Sequence, residues 1–94
     1  MMLHKHKTWR SKKYLAWVRT LPCAMTGRQP AGQAHHLIGI GHMGGMGMKA
    51  PDWAVMPLTA EAHGEMHRDP NLHPDQYEMI VRTLGRAIDE GVLS

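Results

Sequence analysis

The 94-residue sequence contains no phenylalanine and a single cysteine. Cys23 alone can close no internal disulfide and cannot supply a four-cysteine zinc site. Nine methionines take part of the space that phenylalanine would fill, with flexible thioether side chains suited to irregular gaps. No run of about 18 apolar residues occurs, so no membrane-spanning helix is expected. The start, Met1 to Lys7, is basic but lacks the apolar core of a signal peptide. A cytoplasmic protein is the plain reading, and the length fits one small domain whose single core is only marginally sufficient.

The most informative absence is of acidic residues. Residues 1–51 contain eight Lys or Arg and no Asp or Glu, whereas residues 52–94 contain three Arg and eight acids. An acid-free basic segment of this length is a footprint for a polyanion, DNA above all. The bland alternative is a solvated face that keeps the chain soluble.

Apolar residues Tyr14, Leu15, Trp17, Val18 and Leu21 predict a helix from about Trp9 to Leu21, with Thr8 or Ser11 as its N-cap and Pro22 as its stop. Its polar face presents Arg10, Lys12, Lys13 and Arg19 to phosphates, and Arg28 follows in a Pro- and Gly-punctuated knuckle, residues 22–30. Ala34 to Ile38 reads as a strand. Five glycines within residues 39–47 exclude helix and regular strand. A long loop in so small a domain is usually functional, and His42 and Lys49 are its candidate nucleic-acid contacts. Trp53 to Leu58 reads as a second strand ending near Pro57. Thr59 caps a short helix from Ala60 to about His67, closed by Asp69-Pro70. From Pro74 to Glu90 a stripe of Tyr77, Ile80, Val81, Leu84, Ala87 and Ile88 predicts a packing helix.

Two histidine pairs carry the chemistry. His63 and His67 stand four apart, so a helix stacks them on one face. His35 and His36 are neighbours on a strand and would point to opposite faces. A twist or bulge at the strand end is expected to bring both to one site, one as a metal ligand and one as a free base. His4, His6 and His73 read as surface or satisfied groups. Asp52 reads either as a strand-start cap or as a helper to the site, and Glu65 as solvent-facing.

Strand with His-His, loop, strand, then helix with His-x-x-x-His resembles the HNH, or His-Me finger, endonucleases. The resemblance is carried by Ala34-His35-His36-Leu37-Ile38, by Val55-Met56-Pro57-Leu58, and by His63 and His67. In that family a Val-Pro-Leu-like strand is followed, five residues after its leucine, by a helix histidine, the interval from Leu58 to His63. Residues 44–52 are also similar to the loop of small phage and prophage members, among them the recombination-enhancement nucleases that act with RecA filaments. The resemblance covers roughly residues 14–70.

The resemblance implies an α+β, ββα-metal domain over residues 33–68, flanked by an N-terminal helix and a C-terminal packing helix at 74–90, with residues 1–8 a basic flexible tail and the whole chain one domain. It makes His36 the general base, and His35, His63 and His67 the ligands of one divalent ion (Zn²⁺, Mn²⁺, Ni²⁺ or Mg²⁺). It implies hydrolysis of DNA phosphodiesters in a bacterial or phage-infected cell, with a recombinase filament as a further partner. Two departures stand out. The places of the family's structural-zinc cysteines are occupied by Cys23, Thr26, Thr59 and Ala62, so no structural zinc is expected. The place of the motif Asn is Ala54, leaving Asp52 as its nearest substitute. The competing expectation is a non-catalytic nucleic-acid-binding module whose histidines hold a structural metal. A zinc hydrolase of small substrates would carry Glu directly after the first helix histidine, where Gly64 stands.

Overall fold

A computed structural model describes residues 8–39 and 50–93. His42, Lys49 and, except for Thr8, the basic tail lie outside the described residues. Within them the order is helix α1 (Lys12–Arg19), strand β1 (Gln33–His36), strand β2 (Val55–Leu58), helix α2 (Ala60–Arg68), a 3-10 turn (Pro70–Leu72) and helix α3 (Asp75–Asp89). The architecture is α+β, with the two strands paired antiparallel. Among the described residues no helix is long and apolar enough to cross a membrane.

Local chemistry sets the element ends. Of the two candidate caps for α1 it is Ser11 whose hydroxyl accepts the Tyr14 N–H, at 3.0 Å, so the helix starts later than Trp9. It ends before Leu21, where the Leu21 N–H turns back to the Val18 carbonyl. Thr59 caps α2 by accepting the Ala62 N–H at 3.1 Å. Pro57 lies within β2, opposite Ala34, rather than at its end. A two-stranded sheet has open outer edges, so a residue without an N–H forfeits no ladder bond there. The Pro57 carbonyl instead accepts the Ala24 N–H of the knuckle at 2.8 Å.

β1 is shorter than the strand expected from Ala34 to Ile38. Leu37 still donates to the Ala54 carbonyl at 2.9 Å, but the next residue leaves the sheet for a side chain. Gln76 of α3, fully buried, accepts the Ile38 N–H (3.1 Å) and donates to the Ile38 carbonyl (2.7 Å). Its amide acts as a piece of strand.

β2 is buried along its whole length. Met56 and Leu58 join Leu37, Ala62, Met66 and Ile80 in one apolar cluster, while Val55 joins Tyr14, Val18 and Ala87 in another. This is strand alternation with both faces covered. α3 corrects the expected stripe. Its buried line is Gln76, Ile80, Thr83 and Ala87, whereas Tyr77, Val81 and Ile88 are exposed. The helix meets the body along a narrow seam, and two polar residues fit that seam because their polar atoms are satisfied, Gln76 at Ile38 and Thr83 by donating to the Met79 carbonyl.

Candidate metal centre

α2 places His63 and His67 one turn apart, and β1 delivers His35 against them. The ring centroids of His63 and His67 are 4.7 Å apart and nearly parallel, and His35 lies 4.4 Å from His63 and 5.3 Å from His67. One ligand atom from each ring falls within 4.8 Å of the others. Antiparallel register sets this meeting: His35 pairs with Met56, two residues before the Leu58 that leads into α2.

The triad is unfinished as a purely protein arrangement. His35 is 2% exposed, yet neither of its ring nitrogens has a hydrogen-bond partner among the described residues, nor does the buried Nδ1 of His63. A buried polar atom without a partner costs about 1–3 kcal/mol. Protonation does not relieve it. Burial, and then the neighbouring His63, push the His35 pKa down to about 4; burial followed by His67 lowers that of His63. Three imidazoles that bring one nitrogen each within 4.8 Å of the others are the donor set that a divalent ion of borderline softness takes. The residues fit such an ion.

His36 has a different partner. β1 pairs with β2 residue for residue, without the bulge the sequence reading allowed for, so consecutive side chains diverge. His35 faces α2, while His36 Nε2 lies 2.8 Å from Asp52 Oδ1. Asp52 is buried and also accepts the Ser11 N–H (2.8 Å) and an Arg10 guanidinium N–H (3.0 Å). Arg10 donates further to the Ala50 carbonyl at 2.7 Å. Burial works to raise the Asp52 pKa, but hydrogen bonds from His36, Ser11 and Arg10 outweigh it and hold the carboxyl below its ordinary value. An ionised carboxylate only accepts. His36 therefore carries its proton on Nε2 when neutral, and its Nδ1 is the basic nitrogen.

Lys12, Lys13, Arg19 and Arg28 are all exposed, the first two on the opening turn of α1. The ties of Arg10 and Ser11 to Asp52, and of Gln76 to Ile38, could not be read from the sequence because the partners lie about 40 residues apart. His73 bonds the Met66 carbonyl at 3.0 Å, as a satisfied histidine should. Its ring also fills the space a side chain would need at Gly39, whose φ of +75° already favours glycine. Cys23 receives the Thr59 N–H at 3.5 Å and packs in the core with Leu58 and Ala62. A cavity of about 690 Å³ between the knuckle and α3, lined by Cys23, Met25, Pro57, Met79 and Thr83 among others, includes none of the histidines.

Comparison with known proteins gives a family but no activity. The family model described as "Protein of unknown function (DUF968)" matches residues 1–91. An Escherichia coli (strain K12) protein described as "Uncharacterized protein YdfU" is 46% identical over 98 residues, covering 100% of this chain but 28% of its own length. The chain thus spans little more than a quarter of that relative. No solved structure matches.

Proposed function

The chain belongs to the DUF968 family, and we propose that it is a metal-dependent DNA endonuclease of the His-Me finger, ββα-metal kind, serving phage or prophage recombination or DNA processing. The observation that carries this reading is the buried, unpartnered His35 converging with His63 and His67, one residue from a histidine whose tautomer is set by a carboxylate.

In this reading His35, His63 and His67 hold one divalent ion: Zn²⁺, Mn²⁺, Ni²⁺ or Mg²⁺. When bound, the ion supplies positive charge where negative charge develops on the phosphoryl oxygens and the leaving 3′ oxygen. His36 Nδ1 takes a proton from water as the water oxygen forms its bond to phosphorus. The bond from phosphorus to O3′ breaks and O3′ takes a proton from solvent water, leaving 5′-phosphate and 3′-hydroxyl ends. Asp52 fixes the ring and stabilises the imidazolium that results, a division of labour seen wherever a carboxylate backs a histidine base. It thereby takes over the place left by Ala54, which is fully buried. Lys12, Lys13, Arg19 and Arg28 receive backbone phosphates. A recombinase filament is a further partner in this proposal.

The test is purified protein on supercoiled plasmid, with and without added divalent ions, beside His36→Ala. Ion-dependent nicking that His36→Ala abolishes, with metal and DNA binding retained, supports the reading. The tie of His36 to Asp52, which leaves it outside the group formed by His35, His63 and His67, favours a second reading, a non-catalytic nucleic-acid-binding module with a structural metal. It expects no nicking under any ion.

A further inference from the structure

Trp9 is tied to His36 through Asp52, and the proposed chemistry does not use its ring. It is 40% exposed, although an indole is one of the most favourable side chains to bury. Its backbone is held: the Trp9 carbonyl accepts the Asp52 N–H at 3.0 Å. Its ring is held too, at 5.7 Å and 65° to Tyr14, which in turn lies 5.7 Å from Trp17. A T-shaped contact engages an edge of one ring and a face of the other, so at least one indole face is left without an aromatic partner among the described residues. Exposed Lys12 and Lys13 follow within one helical turn. Asp52 joins this platform to the reaction centre, with its N–H on Trp9 and its carboxylate on His36.

An immobilised aromatic face beside cations is how proteins grip nucleic acid whose bases are out of the duplex. A base inside closed B-form DNA presents only its edges; its face is accessible in a single strand or where the duplex has opened. We propose that Trp9 is a base-stacking platform, and that the DNA held beside His36 is single-stranded or locally unpaired. This rests on the reading of DNA as substrate, and it narrows the substrate class. One indole also explains why the segment from Trp9 to Ser11 is stitched to Asp52 by three hydrogen bonds, Trp9 accepting one and Arg10 and Ser11 donating the others: the platform and the base keep a fixed spacing.

The test is made in EDTA, so that cleavage plays no part. Binding of fluorescein-labelled oligo(dT) and of a 12-base-pair duplex is compared by anisotropy for wild type, Trp9→Phe and Trp9→Leu. Leucine still covers Tyr14 but has no π face. Stacking of one base is worth about 1–3 kcal/mol, or roughly 5- to 150-fold. The expected result is a loss of that size for Trp9→Leu on the single strand, under 3-fold change on the duplex, and near-wild-type behaviour for Trp9→Phe. Equal losses on both DNAs, or none, overturn the proposal. Should Trp9→Leu not fold, irradiation of the wild-type protein with a 5-iodouracil single strand decides, because a stacked ring crosslinks: adducts on the Trp9 peptide support the platform, and adducts elsewhere only overturn it. A protein that binds single strands through Trp9 but, with added divalent ions, cleaves neither supercoiled plasmid nor single-stranded circular DNA refutes the nuclease and leaves the platform standing, so the two failures are separable.

Discussion

His36 and Asp52 are joined by a 2.8 Å contact between Nε2 and Oδ1, an oxygen that also accepts from Arg10, while Oδ2 accepts the Ser11 N–H. The histidine is thus oriented by the segment that precedes α1, not by its own strand. That places Arg10 and Ser11 in one hydrogen-bonded unit with Asp52 and His36.

Replacing Asp52 by Asn keeps the shape and removes the charge. The amide can present either a donor or an acceptor to Nε2, so the tautomer with a basic Nδ1 is no longer enforced. Asp52→Asn is expected to lower the nicking rate by about 10²- to 10⁴-fold while leaving Zn²⁺ affinity within a few-fold of wild type. Plasmid nicking and metal titration read the two effects separately. Parallel loss of both would assign Asp52 to the fold alone.

The triad makes the opposite prediction. An ion that binds the folded chain and not the unfolded one stabilises it by about 2.7 kcal/mol at 100 times its Kd, which for a domain of this size raises Tm by about 10–20 °C. Zn²⁺ should do so for wild type and His36→Ala, EDTA should reverse it, and His63→Ala should abolish it. Thermal melts followed by circular dichroism check all three. A His63→Ala protein with the full shift would place the ion elsewhere.

The histidines were legible because their information is local: four residues apart on a helix, adjacent on a strand, five residues after Leu58. Ser11 and Thr59 were legible for the same reason, since a cap bonds a backbone N–H three residues on. What the sequence hid was tertiary. Nothing around Asp52 announces Arg10 and Ser11, and nothing in the apolar stripe of α3 says which half meets the core. Val81 and Ile88 suit a buried face better than Gln76 and Thr83 by hydropathy, yet the reverse is found, because hydrogen bonding in the seam compensates the polar pair.

Acid should weaken the metal-free protein through the same rings that are proposed to hold the ion. The folded-state pKa of His35 is about 4 against an ordinary 6.5, so between these values the unfolded chain carries a proton that the folded one refuses. Stability is then complete above pH 6.5 and falls as pH drops toward 4. His63, also depressed, adds a loss of the same sign. The loss from His35 is on the order of 3 kcal/mol. Urea denaturation in EDTA at pH 7, 5.5 and 4.5 measures it, and His35→Leu should flatten the slope. An unchanged slope in that variant would assign the acid sensitivity to other groups.

Gln76 offers the sharpest test of how the strand end is held. Its carbonyl oxygen accepts from Ile38, and its NH₂ donates to the carbonyls of Ile38 (2.7 Å) and His73 (3.0 Å). Gln76→Ala leaves the partly buried N–H and carbonyl of Ile38 without these partners, whereas the His73 carbonyl keeps the Gln76 backbone N–H, and should cost about 2–4 kcal/mol. Gln76→Glu keeps the volume but turns a carboxylate toward two carbonyls. It should therefore be no more stable than the alanine variant at pH 7. Because the buried acid is favoured in its neutral form, its folded pKa rises above the unfolded value, and stability relative to wild type should recover as pH falls and the protonated acid donates again. Packing alone cannot produce that recovery. Urea midpoints for both variants, each referred to wild type at the same pH, decide it: a glutamate variant as stable as wild type at pH 7 would mean that Gln76 does not fix the chain where it leaves His35 and His36.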